Sequence, residues 1–241
     1  MLKKVQGILL HRYKYSETSA ILHVYTDTHG RQSMMVRSAF GPKAKNKVAA
    51  LHPLALLSMD IYAKANRDLQ LVKEFKVLEP MHQLRMDFRK SAMSLFLGEV
   101  LHKSLGEETL DHELFHFIKT MIQILELKEA GLGHFHLYFL LQYTRFLGFY
   151  PDVKHYKKGY YVDLKSGSYS IFKPVHDDFL NPEEAAWWMQ LATFSPDQHE
   201  TIKLPAALRD RLLTKTMRFL QVHVNGLSTL HSLDILREVF H

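Results

Sequence analysis

Three groups of residues carry chemistry in their types and spacing. The first is the stretch Val36 to Val48, VRSAFGPKAKNKV, in which Arg37, Lys43, Lys45 and Lys47 place four cations on one short segment. Gly41-Pro42 can continue neither a strand ladder nor a helix, so the lysines are expected on an irregular, solvent-facing excursion where their ammonium groups can meet the phosphates of a polyanion. A purely solubilising loop is the competing reading, because most short charge runs are simply solvated. The second group is His112-Glu113-Leu114-Phe115-His116, the H-E-x-x-H pattern in which two imidazoles one helical turn apart hold zinc and the glutamate activates water. Its helical phase speaks against that use. His112, His116, Lys119, Thr120 and Gln123 form a polar stripe opposite Leu114, Phe117, Ile118 and Met121, so the imidazoles should face water. The third is Arg211, Lys215 and Arg218, spaced i, i+4, i+7, a basic helix stripe that could extend a phosphate track or simply be solvated. Trp187 and Trp188 could stack bases, but on an amphipathic helix they are expected in the core. Isolated histidines such as His155 and His176 are expected to make ordinary polar contacts.

Composition narrows the classes. The chain of 241 residues is 46% hydrophobic and 23% charged, ordinary globular values. It has no cysteine, which excludes disulfides, thiolate zinc sites and cysteine nucleophiles. No apolar run approaches the roughly 18 to 20 residues that span a bilayer, and no signal peptide is recognisable. A cytoplasmic protein with no membrane partner is expected. The formal net charge of +6 favours an anionic partner without deciding which.

The elements that must position these groups fall into two patterns. Segments 5–11, 20–26, 32–36, 54–62 and 69–77 read as strands, with Asp27-Thr28-His29-Gly30 as a hairpin turn. Five strands in so short a span predict a closed OB-fold barrel over residues 1–80, a nucleic-acid-binding domain. After Pro80 the period changes to 3.6 residues, predicting a helical domain over 81–241 and an α+β chain overall. Met93, Phe96, Leu97, Val100 and Leu101 mark the first helix. A second runs over 111–126, burying Leu114, Phe117, Ile118, Met121 and Leu125. A third, over 134–147, is apolar nearly all round and therefore central. A small β-hairpin is expected near 156–174, with its turn at Lys165-Ser166-Gly167-Ser168. Asn181-Pro182-Glu183-Glu184 reads as an N-cap opening a helix, and the last long helix runs from Pro205 to about Asn225 and stops at Gly226.

Gly7-Ile8-Leu9-Leu10-His11-Arg12-Tyr13-Lys14-Tyr15-Ser16-Glu17-Thr18-Ser19, then Leu22 to Thr26, Gly30-Arg31, the basic loop and Ala50-Leu51-His52-Pro53-Leu54, closely resemble the RecO family of bacterial recombination mediators. The similarity continues through Leu147-Gly148-Phe149-Tyr150-Pro151 and Leu204-Pro205-Ala206-Ala207-Leu208-Arg209. The resemblance implies an OB-fold followed by a helical domain. It also implies binding of single- and double-stranded DNA, strand annealing, loading of recombinase, and partnership with RecR and with the acidic C-terminal tail of single-stranded-DNA-binding protein. No nucleotide is hydrolysed in that scheme, and no cofactor is implied. Many relatives carry four cysteines after the Gly-Phe-x-Pro stretch, whereas here that region is Asp152-Val153-Lys154-His155-Tyr156-Lys157-Lys158-Gly159, so no zinc is expected. The family's small-residue, glycine-basic loop pattern is shifted to Ser38-Ala39-Phe40-Gly41, and a Lys-Ser-Arg element reads His231-Ser232-Leu233.

The reading that results is a non-enzymatic DNA-binding and annealing mediator. Arg31, Arg37, Lys43, Lys45 and Lys47 would contact phosphates, with Arg211, Lys215 and Arg218 as a second DNA-binding stripe. Arg145 on the central helix would sit at the rim of a peptide groove. The alternatives are a zinc hydrolase built on His112, Glu113 and His116, or a scaffold that binds only proteins.

Overall fold

Why the first 80 residues close on themselves is visible in their alternation. In β2 (Ala20–Thr26) Ala20, Leu22 and Val24 point inward; in β3 (Gly30–Val36) Met34 and Val36 do; in β4 (Leu56–Tyr62) Leu57, Met59 and Ile61 do; and Val72 does so in β5 (Leu69–Val77). A set buried with period two needs one apolar interior. With β1 (Leu2–Lys14) these strands form a closed barrel in the order β1-β2-β3-β5-β4, the OB-fold expected from the sequence. All pairs are antiparallel except β3 with β5, where Met35 lies beside Leu71. The β1 register slips between Leu9 and His11, a bulge that bends the strand. Gly30, at φ 63°, ends the expected β2–β3 turn. The computed structural model describes residues 1–37, 39–40, 50–63, 67–106, 110–195 and 202–240.

The change from strands to helices comes where the sequence places it, yet the chain forms two compact units that divide later, at Met1–Leu127 and Lys128–His241. Three helices, α1 (His82–Met86), α2 (Phe88–Ser104) and α3 (His112–Leu127), therefore belong with the barrel. Helix α2 buries Met93, Phe96, Leu97, Val100 and Leu101 and packs on β1. The approach is close at Gly98, where a Cβ would lie 2.9 Å from the Leu10 carbonyl oxygen. Glu126 of α3 accepts from the Gln83 and Leu84 backbone N–H groups at 2.8 and 2.9 Å, while its own carbonyl accepts from the buried Lys90 ammonium at 2.6 Å. In α3 Leu114, Ile118, Met121, Ile122 and Leu125 are buried. Phe117, expected among them, is only half-buried: Ile122 takes its place because the apolar stripe is rotated toward the 114–118–125 edge.

The second unit is built on α4 (Phe135–Phe146), preceded by a 3₁₀ turn at Leu132–His134. Every residue of α4 from Phe135 to Thr144 is buried, as its all-round apolarity requires. It packs against α5 (Pro182–Thr193) and α6 (Ala206–His223). Trp188 is in that core, donating to Thr216 Oγ1 at 2.9 Å, while Trp187 is partly exposed. Asn181 and Glu184 form a reciprocal capping box at the start of α5. The expected hairpin is present as β6 (Tyr161–Asp163) and β7 (Tyr169–Ser170), but a third strand, β8 (Phe179–Leu180), pairs with the other side of β6. Two residues directly before an N-cap are too few to show a strand period, so the sequence reading missed it. It also missed α7 (Ser232–Phe240), which follows Gly226.

Candidate nucleic-acid interface

The residues that alternate with the barrel's core form its outer wall, and register sorts them into rows. Tyr13 pairs with Ile21, Ile21 with Met35, and Met35 with Leu71. The neighbouring row is His11, His23 and Ser33. Beyond the last registered pair of the parallel ladder, Val36 with Val72, come Arg37 and Lys73, both exposed. Part of the wall is covered within the same unit: Ile8 and Leu10 are buried where α2 packs on β1, and the Tyr25 hydroxyl donates to the Asp111 carbonyl at 3.2 Å. Burial there raises the Tyr25 phenol to about 12. The cover ends at His102, near the C-terminus of α2.

At that edge three imidazoles meet. The rings of His11 and His102 stack at 5.2 Å and 9°, those of His23 and His102 lie 4.5 Å apart, and Tyr13 packs on His23 at 5.5 Å. Ser33 Oγ is 3.1 Å from His23 Nδ1. Arg31 Nη1 donates to the His102 carbonyl at 3.1 Å and lies 3.5 Å from His102 Nδ1. Desolvation first, then the neighbouring His23, His11, Arg31 and Lys103, hold His102 near 4, and burial also lowers His11. At neutral pH the His102 and His11 rings are thus uncharged and stack without mutual repulsion. Arg31 ties β3 to the end of α2, a positioning contact that the sequence did not reveal, and Arg37 stands exposed where β3 ends. Lys43, Lys45 and Lys47 lie outside the described residues.

The remaining sequence candidates are placed as follows. His112, Glu113 and His116 are exposed on α3, as their phase requires, and line a shallow open depression with Phe117 and Thr120. Among the described residues no group of three or more His, Asp or Glu side chains is arranged to hold a metal. The cations of α6 have internal partners. Arg218 makes two hydrogen bonds to Asp178 at 2.6 and 2.9 Å, Arg211 lies 3.4 Å from Glu184, and Lys215 donates to the Asp177 carbonyl at 2.8 Å. The Arg218 hydrogen bonds bring Asp178 down to about 2. Arg145 is exposed, stacks over the Tyr150 ring at 4.1 Å and donates to its hydroxyl at 2.9 Å. His155 is bonded to Asp152, and His176 lies 3.1 Å from Asp163. The His11–Tyr13–His23 wall was missed in the sequence. Its signal was the parity of His23 against the inward Leu22 and Val24, which becomes informative only once the β1–β2 register is known.

No described helix is long and apolar enough to cross a membrane. Residues 1–81 match the family model described as recombination protein O N terminal, and residues 85–233 match its C-terminal counterpart. The chain is 33% identical over 241 residues to the DNA repair protein RecO of Bacteroides fragilis, covering all of both chains. It is 31% identical over 240 residues to the protein of that name from Phocaeicola vulgatus, again over the whole of both, and 32% over 238 residues to that of Flavobacterium johnsoniae, over 98% of each. A barrel with this strand order, a following helical region with a small sheet, and matches that run from the first strand into the last helix together show that the chain belongs to the recombination protein O (RecO) family.

Proposed function

We propose that this chain is a non-enzymatic DNA repair protein of the cytoplasm that binds single- and double-stranded DNA, anneals complementary strands, and works with RecR and single-stranded-DNA-binding protein to load recombinase. The observation that carries the reading is the outer barrel wall, where exposed Arg37 stands as the chain enters the Lys43-Lys45-Lys47 segment and Lys73 is exposed on β5. Annealing two polyanions requires screening both backbones while leaving base-pairing edges free, so phosphate contact without base readout is the chemistry required. The 1–80 barrel would supply that contact, and the helical part, 81–241, would hold protein partners. An acidic tail peptide would find its cation in Arg145, exposed beside Tyr150.

Titrating labelled single strands across a salt series tests this most directly. Each phosphate contact contributes about 0.7 to the slope of log K against log salt. Lys43→Glu, Lys45→Glu, Lys47→Glu protein should therefore bind all sequences more weakly, with a flatter slope, and anneal more slowly in parallel. Unchanged affinity and slope in a folded variant would reduce the segment to a solubilising loop. DNA would then have to meet α6, where Arg211, Lys215 and Arg218 already hold carboxylate or carbonyl partners. Arg145→Ala should weaken capture of the acidic tail peptide while leaving DNA affinity intact; unchanged peptide binding places that site elsewhere.

A further inference from the structure

The phosphate contacts proposed above do not distinguish an unpaired strand from a duplex, since both carry the same anion. The outer wall holds a feature that does. Tyr13 is 42% exposed, and Tyr15, just past the end of β1, is 60% exposed. Tyr13 is not a loosely attached ring: it packs against His23 at 5.5 Å and His11 at 6.1 Å, and these rest on His102. Its row continues across the sheet through Ile21, Met35 and Leu71, so the ring stands at the end of an apolar strip. Rows two residues apart along a strand are separated by about 7 Å. Two positions beyond Met35, just past the end of β3, comes exposed Arg37, and exposed Lys73 follows Val72 on β5 at the bulge where the β4–β5 register shifts.

Resting on the nucleic-acid reading, we infer that this wall is a stacking site for unpaired nucleobases, with Tyr13 as the ring that receives the base and Arg37 and Lys73 as the cations that receive the adjoining phosphates. A nucleic-acid strand repeats flat π-faces and anions along its length, and the wall offers a ring and, about 12 Å away across two strands and one row, cations, so the phosphates these receive belong to nucleotides neighbouring the stacked base. Every base has a π-face, so such a site tolerates any sequence. Bases inside a duplex are already stacked and cannot reach it. The histidines contribute as support: His23 and His11, themselves packed on His102, hold the Tyr13 ring in place. Further along β1 and β2 the wall is closed to a base, because α2 covers Ile8 and Leu10, and Tyr25 is buried with its hydroxyl on Asp111.

The test uses the full chain and three probes of equal length: oligo-dT, the same strand made abasic, and a duplex. Tyr13→Leu keeps an apolar cover over Ile21 but removes the π-face, and Tyr13→Phe keeps the ring. Tyr13→Leu should lower oligo-dT affinity by between about fivefold and about a hundredfold, the range for loss of one base–aromatic stack. Its salt slope, and its affinity for the abasic strand and the duplex, should stay at wild-type values. Tyr13→Phe should behave as wild type with all three. Equal losses on all probes would overturn the inference by showing a structural role, and unchanged oligo-dT affinity would overturn it outright. In either case, steep salt dependence of the wild type on the abasic strand leaves the phosphate reading standing. A wild type that binds none of the probes removes both.

Discussion

Asp178 shows how one carboxylate can tie an exposed helix cation to a small sheet. Arg218 reaches it from α6 with two hydrogen bonds, and Lys165 of the β6–β7 turn approaches to 3.4 Å. A carboxyl whose folded value lies near 2, against 3.8 in its ordinary state, stabilises the fold fully above about pH 4. That contribution fades as pH falls toward 2. Replacing Arg218 with Ala should raise the Asp178 titration midpoint measured by NMR, and the gap in unfolding midpoint between wild type and variant should close below pH 2. His102 behaves in the same sense from a higher starting point. Its folded value of about 4 lies below 6.5, so the unfolded chain takes up the proton first. Stability should fall as pH drops from 6.5 toward 4, where His11, His23, Arg31 and Lys103 all oppose an added charge. A His102→Phe protein should show a flatter dependence of melting temperature on pH across that window.

Among elements, α2 carries the closest packing constraint. Gly98→Ala would gain about 1 kcal/mol of helix propensity. The new methyl, however, meets a backbone carbonyl at 2.9 Å, and a β-strand cannot yield as a flexible side chain can. Overpacking of this kind costs about 1 to 3 kcal/mol, so a net loss of up to about 2 kcal/mol is expected in denaturant unfolding. The start of α5 depends on a single cap. Asn181 accepts from the Glu184 N–H at 3.0 Å and Glu184 returns the bond to the Asn181 N–H, and Asn181→Ala should cost about 1 kcal/mol. That cap was legible as Asn-Pro-Glu-Glu because capping is decided within four residues. β8 was not legible, because its two residues become a strand only through pairing with β6.

The molecule as a whole divides where its cores divide. Ile8 and Leu10 lie on the barrel's outside and are buried where α2 packs, so a fragment ending at 80 would expose them. A fragment of residues 1–127 should fold cooperatively and retain the Tyr13 wall, whereas 1–80 should be markedly less stable or aggregate; circular dichroism melts of the two would decide it. The cysteine-free segment after Pro151 makes a second prediction at this scale. Here the β6–β8 sheet is held by Asp163 accepting from the Lys165 and Ser166 N–H groups, by Arg218 on Asp178, and by Tyr169 donating to the Asp152 carbonyl. None of these contacts needs a metal, so exhaustive chelation should change neither melting temperature nor DNA affinity.

Local periodicity determined most of the element list: five strands closing as an OB-fold, the helical stretches after Pro80, the buried α4, and a His112–His116 pair turned to water. These depend on neighbours within a few positions, where the geometry of strand and helix is dictated by the chain itself. Tertiary structure alone decided what the exposed polar residues do. His102 meets Arg31 across 71 positions, and the cations of α6 meet Asp177, Asp178 and Glu184 from a different element. Tyr13 becomes the end of an apolar row through three strand registers at once. Pairings of this kind are set by barrel closure and helix docking, which satisfy many contacts together, and no spacing along the sequence encodes any one of them.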